Sequence, residues 1–118
     1  TRVRSSAASD VYKRQDHNNL ARAGDVTIHA GATITWMNES NNEPHTVTFP
    51  RAGAPPPQLP AFSASSGGTI YDGSTVVNSG VLFSGNIFSL KFSKPGVYRY
   101  YCLFHTGEGM SAAVTVLH

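Results

Sequence analysis

The stretch Tyr100-Tyr101-Cys102-Leu103-Phe104-His105-Thr106-Gly107-Glu108-Gly109-Met110 decides how the rest of the chain is read. Before it, Val97-Tyr98-Arg99-Tyr100-Tyr101-Cys102 follows the turn Ser93-Lys94-Pro95-Gly96 and reads as a strand ending at the thiol. After it, Ala113-Val114-Thr115-Val116-Leu117 reads as a final strand. The loop between carries a thiol, an imidazole and a thioether in the spacing Cys-x2-His-x4-Met. Gly107 and Gly109 supply the backbone freedom to fold such a loop back on itself.

Working outward, Ile87, Leu90 and Phe92 belong to another apolar strand. Nearer the start, Val26 and Ile28 alternate with Thr27 and His29, Ala30-Gly31 turns, and Ile34 and Trp36 alternate with Thr33 and Thr35. His29 falls on the polar phase and reads as an exposed strand histidine. The polar loop Asn38-Glu39-Ser40-Asn41-Asn42-Glu43-Pro44 leads to His45-Thr46-Val47-Thr48-Phe49, where Val47 and Phe49 share the phase of His45. Pro44 fixes the backbone just ahead of that histidine. Taken alone, His45 reads as an ordinary strand-end residue; its weight comes from the Cys102 loop.

Residues 50–85 say least. Pro55-Pro56-Pro57 and Ser63-Ala64-Ser65-Ser66-Gly67-Gly68 read as loop, with short strands at Thr69-Ile70-Tyr71 and Thr75-Val76-Val77 about Asp72-Gly73. A linker between two domains is the rival reading, but neither flank is large enough to close a core alone. No helix of ordinary length is indicated. The expectation is an all-β chain, an antiparallel sandwich with its candidate ligands at one end.

Composition agrees. The 118 residues suffice for one core, and 40% hydrophobic against 14% charged residues, with 11 Gly and 7 Pro, suits a loop-rich β protein. The net charge of +2 is uneven: residues 1–15 hold Arg2, Arg4, Lys13 and Arg14 against Asp10, and the remaining five bases face six acids. The folded part is therefore near neutral, which argues against nucleic acid or an anionic membrane surface as partner. No apolar run approaches the roughly 20 residues that span a bilayer. A lone cysteine excludes an intrachain disulfide and leaves the redox compartment unfixed.

Residues 1–15 are basic and Ser/Ala-rich, with no apolar period. Asp10-Val11-Tyr12-Lys13-Arg14-Gln15 resembles the in-frame translation of a transposase adapter end used in sequencing libraries. The segment is accordingly expected to be a non-native or disordered leader, with the domain proper at residues 16–118.

Thiolate, imidazole and thioether on one loop suit copper better than most metals. Cu(I) favours soft donors and low coordination, Cu(II) favours nitrogen; two imidazoles and a thiolate with a weak axial thioether accept both. One geometry for both states means little rearrangement when an electron moves. The candidate ligands are His45, Cys102, His105 and Met110. Leu103, Phe104 and Pro44 would keep water out and offer an apolar docking patch around His105.

The chain resembles the cupredoxins, in particular the plastocyanin and pseudoazurin type. The resemblance rests on Ala30-Gly31-Ala32-Thr33-Ile34-Thr35-Trp36 ahead of Pro44-His45-Thr46-Val47, then Lys94-Pro95-Gly96-Val97-Tyr98-Arg99-Tyr100-Tyr101-Cys102 and the Cys-x2-His-x4-Met spacing. It covers roughly residues 25–49 and 86–117. It implies a Greek-key β-sandwich, one type 1 (blue) copper ion at His45, Cys102, His105 and Met110, and one-electron transfer to redox protein partners. It further implies a monomer working outside the cytoplasm, in the periplasm, at the cell surface or secreted. Two departures stand out. A first strand is expected before Val26, yet Leu20 is the one large apolar residue of 16–24, so that strand is expected to be lost or ragged. Plastocyanins often carry Asn after the first histidine, where this chain has Thr46.

Other readings fit less well. Zinc rarely takes thioether, and a cysteine hydrolase would need a base and oxyanion site that the sequence does not name. A domain cut from a larger copper oxidoreductase would place histidines beside the cysteine. Here Tyr101 and Leu103 flank Cys102, and none of the five histidines forms a His-x-His pair, so an electron carrier is expected rather than an enzyme. The alternatives kept are a copper-binding domain cut from a larger copper oxidoreductase and a non-redox copper-binding module.

Overall fold

A computed structural model describes residues 25–39, 43–104 and 112–118, together with the backbone of 11–15 and 111. Among the described residues nine strands form two sheets. The strands are β1 Val11–Gln15, β2 Val26–His29, β3 Thr33–Asn38, β4 Thr48–Phe49, β5 Ile70–Tyr71, β6 Val77–Asn78, β7 Ile87–Phe92, β8 Gly96–Tyr101 and β9 Ser111–Leu117. One sheet runs β1-β3-β7-β5 and the other β2-β9-β8-β4-β6. No α-helix occurs among the described residues.

The expected alternation is clearest in β7 and β8. Leu90 and Phe92 are buried while Ser89 and Lys91 are exposed, and Tyr98 and Tyr100 are buried while Val97 and Arg99 are exposed. The inward side chains of both sheets meet in one core. Its centre is aromatic: Trp36 from β3 meets Tyr100 of β8 edge-on at 5.4 Å, and Phe49 of β4 lies 5.0 Å from Tyr100 and 5.5 Å from Phe92 of β7. Such tilted and edge-on pairs add to the gain from burial alone.

The sandwich is mixed, which corrects the antiparallel expectation. β1 pairs parallel with β3, β5 parallel with β7, and β2 parallel with β9. The other neighbours are antiparallel. For β2 and β3 the reason lies at Ala30-Gly31. These residues do not close a hairpin; they carry the chain from one sheet to the other. Ala30 N–H donates to Leu117 O at 2.7 Å in one sheet, and Gly31 N–H to Phe92 O at 2.7 Å in the other. Gly31 sits at φ +96°, a conformation glycine reaches without penalty. His29, next to this crossing, is exposed and its Nδ1 lies 2.9 Å from His118 O.

Val11–Gln15, which the sequence reading assigns to the leader, lies along β3 from Val11 opposite Ile34 to Gln15 opposite Asn38. The strand ahead of Val26 is therefore found upstream of residue 16. Residues 105–110, with His105, Gly107, Gly109 and Met110, lie outside the described residues, as does Leu20.

Candidate metal centre

His45 reaches its place through backbone bonds on both sides. Its N–H donates to Leu82 O at 3.1 Å, and Leu82 N–H returns a bond to His45 O at 2.7 Å. The loop ahead of it is pinned by Asn38, a fully buried side chain whose Nδ2 donates to Glu43 O at 2.8 Å and Leu82 O at 2.6 Å. One residue beyond Thr46, Val47 N–H donates to Ser79 Oγ at 2.8 Å and Ser79 N–H to Val47 O at 2.9 Å. The segment is thus held like a strand, although only Thr48–Phe49 forms a regular one.

Cys102 follows directly on β8, at the end the sequence assigns it. It is fully buried, and so is His45. Their donor atoms face each other: Cys102 Sγ lies 3.6 Å from His45 Nδ1. An ion bonded to nitrogen at roughly 2.0 Å and sulfur at roughly 2.3 Å in a trigonal plane would hold those atoms roughly 3.7 Å apart, so the pair fits one metal. The other ring nitrogen, His45 Nε2, lies 3.6 Å from Glu43 Oε1, within reach of charge attraction but too long for a hydrogen bond.

The thiol has a donor of its own. Thr46 N–H points at Cys102 Sγ across 3.4 Å. A thiolate is stabilised by such a bond, which would draw charge from the sulfur. The hydroxyl of Thr46 accepts from Leu103 N–H at 2.9 Å, so the position where plastocyanins often carry Asn still ties the two ligand-bearing segments together.

Of the four candidate donors, the structure brings His45 and Cys102 together. His105 and Met110 lie outside the described residues, and among the described residues no cluster of three His, Cys, Asp or Glu side chains forms. Two large apolar side chains near this end escaped the sequence reading. Phe62, 72% exposed, meets half-buried Phe104 edge-on at 5.1 Å, and Leu59 lines a cleft with Pro55, Pro56, Pro57 and Leu103. Their only signal was two apolar residues in an otherwise loop-like stretch.

Around the core, burial raises the phenols. Tyr71 and Tyr100 are each pushed up to about 12 by desolvation. The indole N–H of Trp36 pulls Tyr100 slightly the other way, without reaching hydrogen-bonding geometry.

Comparison with known proteins supports this picture. A family model described as copper binding proteins, plastocyanin/azurin family, matches residues 10–117. The plastocyanin of Scenedesmus fuscus is 31% identical over 91 residues, which cover 77% of this chain and 80% of its own. The chloroplastic plastocyanin of Hordeum vulgare is 34% identical over 114 residues, 95% of this chain and 64% of its own. Among solved structures, a purple cupredoxin from Nitrosopumilus maritimus superposes with TM-score 0.61 at 26% identity, covering 91% of this chain and 99% of its own. Reduced auracyanin from Roseiflexus castenholzii shares the fold with TM-score 0.63 at 22% identity, over 96% of this chain and 100% of its own.

Proposed function

Since the chain belongs to the plastocyanin/azurin family of copper-binding proteins, with copper as its cofactor, we propose that it is a blue-copper electron carrier with His45, Cys102, His105 and Met110 as ligands. The observation that carries the reading is the 3.6 Å approach of His45 Nδ1 to Cys102 Sγ in a site closed to water. Copper, when bound, supplies one-electron chemistry between its two oxidation states. The protein's own part is positional. Leu82 and Asn38 hold His45, β8 holds Cys102, and Thr46 N–H takes up charge on the sulfur. A site held this firmly moves little when its charge changes, which favours fast transfer.

Redox proteins would dock on the apolar surface of half-buried Pro44, Leu103 and Phe104 about His105, with exposed Phe62 and Leu59 extending it. The protein would act as a monomer outside the cytoplasm; the Hordeum vulgare relative is named chloroplastic. Among the described residues no helix is long and apolar enough to cross a membrane.

The test is the visible spectrum of the protein with Cu(II), beside Cys102→Ser. An intense blue or purple band, reversibly bleached by a mild reductant and absent from C102S, is the expected result. A weak, pale spectrum in folded protein would overturn the reading.

A further inference from the structure

Behind the thiol runs a chain of buried polar groups whose direction can be worked out. Asn78 Nδ2 donates to Ala64 O at 3.2 Å, which turns Oδ1 towards Thr48; that oxygen can only accept. Thr48 Oγ1 therefore donates to it, at 3.0 Å, and has spent its single proton. The 2.9 Å contact between Thr46 Oγ1 and Thr48 Oγ1 then leaves Thr46 as the donor. With its own proton committed, Thr46 Oγ1 presents its lone pairs to Leu103 N–H. Every hydrogen bond from Leu103 to Asn78 points the same way. Thr46, Thr48 and Asn78 are all essentially inaccessible to water, so no solvent competes for these groups.

We propose that Thr48 and Asn78 are positioning residues that act on the metal site through this one-way relay: they lock the Thr46 hydroxyl as an acceptor for Leu103 N–H and so fix the backbone on which Cys102 sits. The proposal rests on the copper reading for its consequence, though not for its geometry. Asn78 is anchored in turn, since its backbone exchanges two 2.9 Å bonds with Ser66. The stretch 63–68, silent in the sequence, thus braces the cysteine loop from behind. In a low-dielectric setting aligned bonds reinforce one another, so breaking one link weakens those on either side. The thiolate would feel this through Thr46 N–H, whose aim at Sγ depends on where Thr46 is held.

The relay is tested with Thr48→Val, which keeps the shape and removes the hydroxyl, and Thr48→Ser, which restores it. In the metal-free protein, amide exchange at Leu103 is expected to speed up at least tenfold in T48V and to return towards normal in T48S. Amides of β8 and β9 should stay protected, which separates a positioning role from general unfolding. In the copper-loaded protein, T48V is expected to lower the reduction potential, because a less well-aimed Thr46 N–H leaves more charge on sulfur, and T48S to recover it. If Leu103 is no less protected in T48V, the relay is overturned even if the blue band is intact. If the exchange result holds but no blue band forms in any variant, the relay stands and the copper reading falls. Should T48V not fold, the unaltered protein decides: both threonine hydroxyl protons should appear in its NMR spectrum as slowly exchanging signals, and hydroxyls in rapid exchange with water would refute the relay.

Discussion

At the scale of single residues, the two buried phenols carry a pH dependence. Tyr71 and Tyr100 titrate near 12 in the folded chain against 10.0 when free. A raised phenol favours the folded state while protonated, so its contribution is whole below pH 10 and is lost as pH climbs towards 12. Stability should therefore fall across that window, with phenolate absorbance rising together with loss of the near-ultraviolet circular dichroism. Tyr100→Phe should flatten the fall, because it removes the more deeply buried phenol. All the tyrosines titrating together around pH 10, with the fold intact, would contradict the burial seen here. Sequence made some of these residues legible and not others. Cys102 stood out because few roles call for thiol, imidazole and thioether in the spacing it shares with His105 and Met110, and His45 took its weight from that loop. Thr46 stood out only as a departure from the Asn that plastocyanins often carry; what it holds was not legible, because a hydroxyl gains meaning only from what it touches. Its partner Leu103 is 57 residues away, and no local pattern encodes that meeting.

Elements were legible to the extent that they alternate. β7, β8 and β9 announce themselves by apolar residues at every second place, and the short β5 and β6 were anticipated within a residue or two. Their pairing was not, since period says which face a strand buries but not which neighbour it takes or in which direction. β1 shows the same limit. Its residues carry no apolar period, yet it supplies the edge of β3 with a partner through five residue pairs. Removing residues 1–15 would leave that edge of β3 unpaired, and open edges invite association. The shortened protein is expected to melt earlier and to self-associate at high concentration, by calorimetry and light scattering. Unchanged melting would show that the strand adds nothing to stability, as the leader expectation implies. Glycines give a second comparison. A Cβ at Gly67 would meet Val76 O at 2.3 Å and Val77 Cα at 2.8 Å, backbone atoms that cannot swing aside, at φ +89°. At Gly31 a Cβ would meet nothing within 4 Å, and only φ +96° stands against it. Gly31→Ala should cost about 1–2 kcal/mol, the penalty for a left-handed residue, and Gly67→Ala measurably more, by denaturant unfolding.

On the scale of the whole molecule, the fold is a device for bringing distant pieces of chain to one point. The aromatic centre of Trp36, Phe49, Phe92 and Tyr100 fastens the two sheets, and the proposed metal site would sit where β8 runs out beside the His45 segment. The donors that meet at 3.6 Å are 57 residues apart in sequence. An ion gripping both would close a ring in the chain, and opening that ring would mean surrendering a metal bond. Folding and metal capture then share one equilibrium: free metal at a thousand times its dissociation constant would favour the folded state by about 4 kcal/mol. A chain with one thiol can form no internal disulfide. Its cofactor would be its cross-link, released and remade without any change in covalent structure.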